Sequence, residues 1–383
     1  MVQTPTELGE KMSYDVIELT QNLVKIQSVS RNSNAAVSDY IQTILAEIGC
    51  AVERLEYVDD NGERKVNLIG KLGEGSGGLA FCSHSDTVPG QEEDWAAFDP
   101  VMKDGRLYGR GSCDMKGPLA ATIVAAGRID ASQLKQPIYI VVTSDEEIGL
   151  LGAKYVADHS AMLRDDKPTY GIIAEPTSMV PVYAHKGGVH VKVTSHGVAA
   201  HSSTDKGISA NFQLARFMAE MADLRDLAMR DKMFMNDEFN PPTNGFNMTM
   251  TDFGTPGNVT APRAQCVVGF RGMPNSGAEE MLDMITSAAE KYGFEYEVSA
   301  HTPLYVSTDS DLVQAAVRAL NGRSPETVPY GTDGIYLQAV IPEMVVLGPG
   351  DIGVAHTVGE FVPLSELTQA VDVYEQIIRD LCF

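Results

Sequence analysis

The chain has 383 residues, 44% of them hydrophobic, and a formal net charge of −23. That length exceeds one typical core and predicts two domains of roughly 100–200 residues each. So acidic a surface repels nucleic acid and anionic membranes, and no apolar run approaches the roughly 18 residues a membrane span needs, so neither is an expected partner. The opening MVQTPTELGEKMSYD lacks the apolar stretch of a secretory leader, which predicts a cytoplasmic protein. The five cysteines are scattered and form no C-x-x-C pair, so neither a thiolate metal site nor a disulfide framework is expected.

In chain order, Val16, Leu19, Leu23 and Ile26 form one helical stripe, and Val37, Ile41, Ile44 and Ile48 a second. Val66–Leu72 and Leu79–His84 read as strands joined in a hairpin by the glycine-rich Gly73–Gly78. This glycine run lacks the Lys-Ser/Thr of a phosphate loop. Pro118–Ile129 reads as a helix of small residues, Ile138–Thr143 and Gly171–Ala174 as buried strands, and Gly149–His159 as a helix between them. Nearly continuous apolar strands suit a sheet covered on both faces.

The texture changes near Ala184, where Val189, Val191 and Val193 alternate with polar residues. A long helix near 209–229, strands near 246–250 and 265–271, a helix near 278–292 and a strand near 294–299 follow, the order of a β-α-β-β-α-β module. The α/β pattern then resumes with a helix at Leu312–Leu320, a strand at Met344–Leu347 and a helix at Leu364–Leu381. The expected architecture is a discontinuous α/β domain, 1–183 and 300–383, interrupted by an α+β insertion at 184–299.

Several apolar strands end in polar residues: His84-Ser85-Asp86, Asp145-Glu146-Glu147 and Glu175-Pro176-Thr177, while MVVLGPG leads through a loop to His356. In open α/β sheets, ligands bind beyond the carboxyl ends of the strands. Asp86, Asp114, Glu146, Glu147 and Glu175 would converge there. Two carboxylates about 4 Å apart repel by roughly 4 kcal/mol at an effective dielectric of 20, so such a cluster needs protons or cations. Imidazole and carboxylate ligands without thiolate fit two divalent ions, zinc first, with cobalt or manganese as alternatives. Taken singly, His84 and Asp114 also read as capping residues, and Glu175 as a turn former.

HSDTVP (His84–Pro89), GRGSCDMKG (Gly109–Gly117), TSDEEIG (Thr143–Gly149), AEPT (Ala174–Thr177) and AHTVGE (Ala355–Glu360) together resemble the M20 metallopeptidase family. AHKG at Ala184–Gly187, HSS at His201–Ser203 and LGPG at Leu347–Gly350 are most similar to its acetylornithine deacetylase branch, with succinyl-diaminopimelate desuccinylases close by. The resemblance covers nearly the whole chain. It implies a three-layer zinc-peptidase-like catalytic domain and a ferredoxin-like insertion that serves as lid and dimerisation domain. It implies that His84 and Glu175 hold one metal, Glu147 and His356 the other, and that Asp114 bridges them. Asp86 would then accept the free ring N–H of His84, and Glu146 would be the general base in hydrolysis of an N-acyl amino acid. His201 of a second copy would donate to the oxyanion, Arg271 and Asn258 would hold the substrate carboxylate and backbone, and Thr332 and Gly350 would contact substrate. A cis bond at Asp114–Met115 is also implied. Asp333 departs from the Ser-Asp often found in its loop, Lys186 is a candidate hinge support, and His185 and His190 match no ligand motif.

Overall fold

The computed structural model describes residues 14–383, so residues 1–13, on which the expectation of no leader mostly rests, lie outside it. The chain divides into two compact units. One holds the residues up to Tyr183 together with Val306–Glu326 and Thr332–Phe383, and the other holds Ala184–Tyr305 with Thr327–Gly331. Among the described residues, no helix is long and apolar enough to cross a membrane.

The first unit opens with α1 (Val16–Lys25), started by Asp15, whose carboxylate accepts from the N–H groups of Ile17 and Glu18. Such a cap satisfies donors that the first helical turn leaves free. Then come α2 (Ala35–Glu47), β1 (Ala51–Val58), β2 (Arg64–Leu72) and β3 (Leu79–His84). The short strands β4 (Val101–Lys103) and β5 (Arg106–Tyr108) pair with each other. A distorted turn at Ser112–Lys116 leads into α3 (Gly117–Arg128), followed by β6 (Ile138–Thr143), α4 (Leu151–His159), α5 (Ala161–Asp166) and β7 (Tyr170–Ile173).

The hairpin expected around Gly73–Gly78 does not form. β6 lies between β2 and β3, antiparallel to the first and parallel to the second. Every residue of β6 is buried, and a central position pairs both rows of its backbone groups, which an edge would leave open. The glycine loop passes the start of β6 closely. Gly78, at φ 86°, leaves no room for a side chain, because a Cβ there would lie 2.0 Å from the Pro137 carbonyl oxygen.

β8 (Val182–His185) carries the chain into the second unit, which contains β9 (Gly188–His196), α6 (Ala210–Ala228), β10 (Asn247–Thr251), β11 (Arg263–Phe270), α7 (Ala278–Lys291), β12 (Glu295–His301) and β13 (Leu304–Tyr305). Its antiparallel sheet runs β10-β11-β9-β12, the strand order of a ferredoxin-like module. Val191 and Val193, Cys266 and Val268 point to one face and bury with Phe217 and Met221 of α6 and Ile285 of α7. The inserted segment runs to Tyr305, beyond the expected 299, and Thr327–Gly331 also belong to this unit. β12 stays paired with β9 through His301, and Leu304 and Tyr305 then pair with His185 and Ala184, so the chain leaves this unit only after both pairings.

The chain returns with α8 (Asp311–Ala319), β14 (Glu326–Val328), α9 (Gly334–Leu337), β15 (Glu343–Val346), β16 (Phe361–Pro363) and α10 (Leu364–Cys382). The first unit's sheet runs β1-β2-β6-β3-β7-β15. β6, β3, β7 and β15 are mutually parallel, so their carboxyl ends share one edge. α2 packs on β1 and β2, α3 on β3 and β6, and α4 on β2 and β6. With β3 and β6 wholly buried, the sheet is the middle of three layers.

Candidate metal centre

The edge formed by the ends of β3, β6, β7 and β15 carries the candidate site. β3 ends in His84, whose Nε2 lies 2.9 Å from Asp114 Oδ1 and 3.5 Å from Glu175 Oε1. Glu175 follows β7. On the other side of Asp114, Oδ2 lies 3.2 Å from His356 Nε2, which is also 3.0 Å from Glu147 Oε2. These residues form two groups, His84–Asp114–Glu175 and Asp114–Glu147–His356, and in each the potential ligand atoms lie within 4.8 Å of one another. Asp114 belongs to both and offers one oxygen to each. Its peptide bond to Met115 is cis, as expected.

The hydrogen bonds test whether this set suits metal. His84 Nδ1 lies 3.0 Å from the main-chain oxygen of Asp86. An N–H donated there leaves Nε2 with its lone pair, facing two carboxylates. A lone pair aimed at carboxylate oxygens is repelled unless a cation or proton lies between them. Without a cation, the cluster must hold protons. Burial pulls the His84 pKa down, but Asp114, Glu175 and Asp86 carry it well above the ordinary value. Asp114 and Glu147 push His356 up to about 10. Burial, then Asp114, drives Glu175 well above the carboxylate range. The donor set of imidazole nitrogens and carboxylate oxygens, with one shared carboxylate, fits two divalent ions.

Asp86 differs from expectation in its partner. Its carboxylate stands 3.6 Å from His84 Nδ1. It accepts instead from the backbone N–H groups of Glu146 and Glu147, at 3.2 and 3.4 Å. The bend after β6 brings those two amides towards Asp86, while the nearer acceptor for the ring is the Asp86 carbonyl. Asp86 therefore bears on the loop that carries Glu146 as well as on the β3 end. Glu146 is partly buried, and burial, with Asp333 and Asp114, holds its carboxyl well above its usual pKa.

Other residues sort differently. Thr332 is buried, and its hydroxyl accepts from the N–H of Gly334. Asp333 points inward, accepts from the Thr143 hydroxyl, and is pushed by burial up to about 6. Gly350, at φ 96°, donates its N–H to Glu366 at 2.8 Å, and a Cβ there would lie 2.5 Å from Cys113 Sγ. His201, Asn258 and Arg271 belong to the second unit. There the Asn258 carbonyl accepts from the N–H of Ser202, beside His201. Arg271 lines a pocket of about 290 Å³ with His190, Asn247 and Thr249. Lys186 donates to the carbonyls of Pro241 and Thr243, at 2.7 and 2.6 Å, and so ties that loop within the second unit. Neither His185 nor His190 is in a ligand group.

Sequence reasoning missed a buried support under Glu146. Asp145, the residue before it, has a left-handed φ of 54°. Its carboxylate accepts from Lys65 Nζ at 2.7 Å and from the Tyr57 hydroxyl at 2.8 Å. Lys65 and Asp145 side chains are 0% and 1% exposed. A lysine at the start of an apolar strand gives no sign that it turns inward.

The fold and the two ligand groups define an α/β protein with places for two divalent ions, the arrangement of two-metal hydrolases. Residues 80–380 match the family described as Peptidase family M20/M25/M40. The chain is 34% identical over 372 residues, 94% of its length and 96% of the other's, to an acetylornithine deacetylase of Myxococcus xanthus. Its fold is similar to that of the aminopeptidase PepT of Bacillus cereus ATCC 10987, with TM-score 0.71 at 22% identity, covering 95% of this chain and 97% of that one. It is also similar to a Bacillus subtilis protein described as a dinuclear metal-binding peptidase, with TM-score 0.62 at 16% identity, covering 95% and 96%. The chain belongs to the M20/M25/M40 peptidase family.

Proposed function

We propose that the protein removes the acetyl group from N2-acetyl-L-ornithine, giving L-ornithine and acetate. The reading is carried by two ligand groups that share Asp114, in a chain about one-third identical over nearly its whole length to proteins named acetylornithine deacetylase. His84, Asp114 and Glu175 would hold one ion and Asp114, Glu147 and His356 the other, with zinc the metal best suited to this donor set. When bound, two such ions activate water and polarise the amide carbonyl. Glu146 takes the proton of the attacking water and delivers it to the departing amine. Burial, with Asp333 and Asp114, raises its pKa, the direction that helps a carboxyl hold the proton between the two transfers.

The rest of the reaction is assigned to the second unit, to a second copy of the chain, and to Thr332 and Gly350 of the first unit. His201 of that copy donates to the oxyanion. Arg271 forms a fork to the substrate carboxylate, Asn258 holds the substrate backbone, and Thr332 and Gly350 line the amino-acid side. A homodimer through the second unit is supported by its edge strand β10 and by exposed Phe212, Met250 and Phe253, at 80%, 48% and 54%. The composition, with no membrane-spanning helix among the described residues, supports action in the cytoplasm.

The test pairs metal analysis with a substrate panel of acetylornithine, succinyl-diaminopimelate, other N-acyl amino acids and dipeptides with a free amine. Acetylornithine should turn over fastest, and Glu146→Gln should keep its metal while losing about 10²–10⁴-fold in turnover. No hydrolysis of acetylornithine by the metal-loaded protein, with turnover of another panel member, would replace this substrate. Activity surviving in Glu146→Gln would replace the base.

A further inference from the structure

Two buried charges outside the ligand set join the loops that carry the ligands. Arg110 is 1% exposed and Glu360 0%. They form an ion pair, Arg110 Nη1 donating to Glu360 Oε2. The other Glu360 oxygen, Oε1, accepts from the backbone N–H groups of Cys113 and Asp114, at 3.0 and 3.1 Å. The Glu360 main-chain oxygen accepts from Gly109 N at 3.0 Å. Arg110 Nε in turn donates to the Pro89 carbonyl at 3.1 Å. One pair thus ties together the segment after His84, the turn that presents Asp114, and the segment that runs from His356 to Glu360.

The two ligand groups do not depend on this pair equally. The His84 side chain is 1% exposed, held by the Asp86 carbonyl, and Glu175 is 7% exposed. Both extend from buried strands. The His356 side chain is 51% exposed and its backbone sits at φ 61°, four residues from Glu360. On its N-terminal side the His356 segment is held by the Thr177–Asp351 bridge and by Cys113 Sγ on the Asp351 carbonyl, and on its C-terminal side the hold on the Asp114 turn comes from Glu360.

We propose that Arg110 and Glu360 are a positioning pair that sets the separation of Asp114 from His356, and so fixes the affinity of the Asp114–Glu147–His356 ion position while leaving the His84–Asp114–Glu175 position nearly unaffected. The proposal rests on the reading of these two groups as metal ligands. The pair touches neither substrate nor ligand side chain. It acts by orienting them, and supports of this kind change metal affinity by about 10–100-fold.

The experiment titrates metal-free full-length protein with Zn²⁺ by calorimetry, and with Co²⁺ followed by its visible absorption. The wild type should take up two ions per chain. Glu360→Ala should bind the first ion as the wild type does and the second about 10–100-fold more weakly, with kcat reduced and KM little changed at limiting metal. The double variant Arg110→Met/Glu360→Gln keeps an acceptor for the Cys113 and Asp114 amides and leaves no unpaired buried charge. It should fold even where Glu360→Ala does not, and should bind the second ion more tightly than Glu360→Ala. Wild-type affinities at both positions in Glu360→Ala, or equal weakening of both, would overturn the proposal. In any case where Glu360→Ala does not fold, a double variant with two unaltered affinities would do the same. Failure of the wild type to bind two ions would instead overturn the metal reading itself.

Discussion

Replacing Lys65 by Met removes one cation from a site closed to bulk solvent. Lys65 Nζ donates to the carbonyls of Ser30 and Asn32, at 2.5 and 3.0 Å, and to Asp145 Oδ1 at 2.7 Å. Both charged side chains are essentially inaccessible. Breaking a buried pair by removing one partner costs about 3–5 kcal/mol, because the other charge stays desolvated. The Tyr57 hydroxyl remains on Asp145 Oδ2, so the lower half of that range is expected, about 3 kcal/mol. Native proteins are stable by about 5–15 kcal/mol, so the change should move the urea midpoint of the metal-loaded protein well outside experimental scatter, with little change in slope. Asn tolerates the left-handed backbone of position 145, so Lys65→Met/Asp145→Asn should recover more than half of the loss. Turnover should fall in Lys65→Met as well, because Asp145 sets the backbone from which Glu146 projects. A loss below about 1 kcal/mol, or a double variant no more stable than the single one, would refute the claim that this pair holds the loop.

Two other outcomes can be measured directly. His185 is fully buried, and burial lowers its pKa from about 6.5 to about 4. Its contribution to stability is therefore complete above pH 6.5 and is lost as pH falls towards 4, because only the unfolded chain binds the proton there. The stability of the wild type relative to His185→Gln should drop by about 3 kcal/mol over that window, and a flat difference in pH-dependent denaturation would contradict the burial argument. Phe212→Asp combined with Met250→Asp should convert a dimer to a monomer in light scattering without loss of secondary structure; a wild type that is already monomeric would exclude the proposed interface.

The legible parts of this protein were those with a local pattern. The buried run Ile138–Thr143 begins and ends where β6 does, because five apolar residues between Pro137 and Thr143-Ser144 leave few alternatives. The ligand edge was legible for the same reason, since polar residues recur where buried strands stop. The position of β6 in the sheet was not legible, because strand order depends on which neighbour satisfies a backbone distant in sequence. β1 was missed because AVERLEYV is half polar and only partly buried. Lys65, Arg110 and Glu360 were missed as supports because charge usually signals solvent. Their partners lie 80 and 250 residues away, beyond any local pattern. Asp86 lies in the expected neighbourhood, but its carboxylate takes the amides of Glu146 and Glu147 while its carbonyl faces the His84 ring, a matter of ångströms decided by the turn after β6.

β15 enters the sheet beside β7, yet the ribosome makes it about 170 residues later, after the whole insertion has emerged. At roughly 5–20 residues per second that is a wait of about 10–30 s. Meanwhile the free side of β7 offers unpaired amides and carbonyls beside an apolar surface, which any extended segment can occupy. The newly made chain is most vulnerable to wrong partners during that interval, and a chaperone that shields the β7 edge would protect it until the last 80 or so residues arrive.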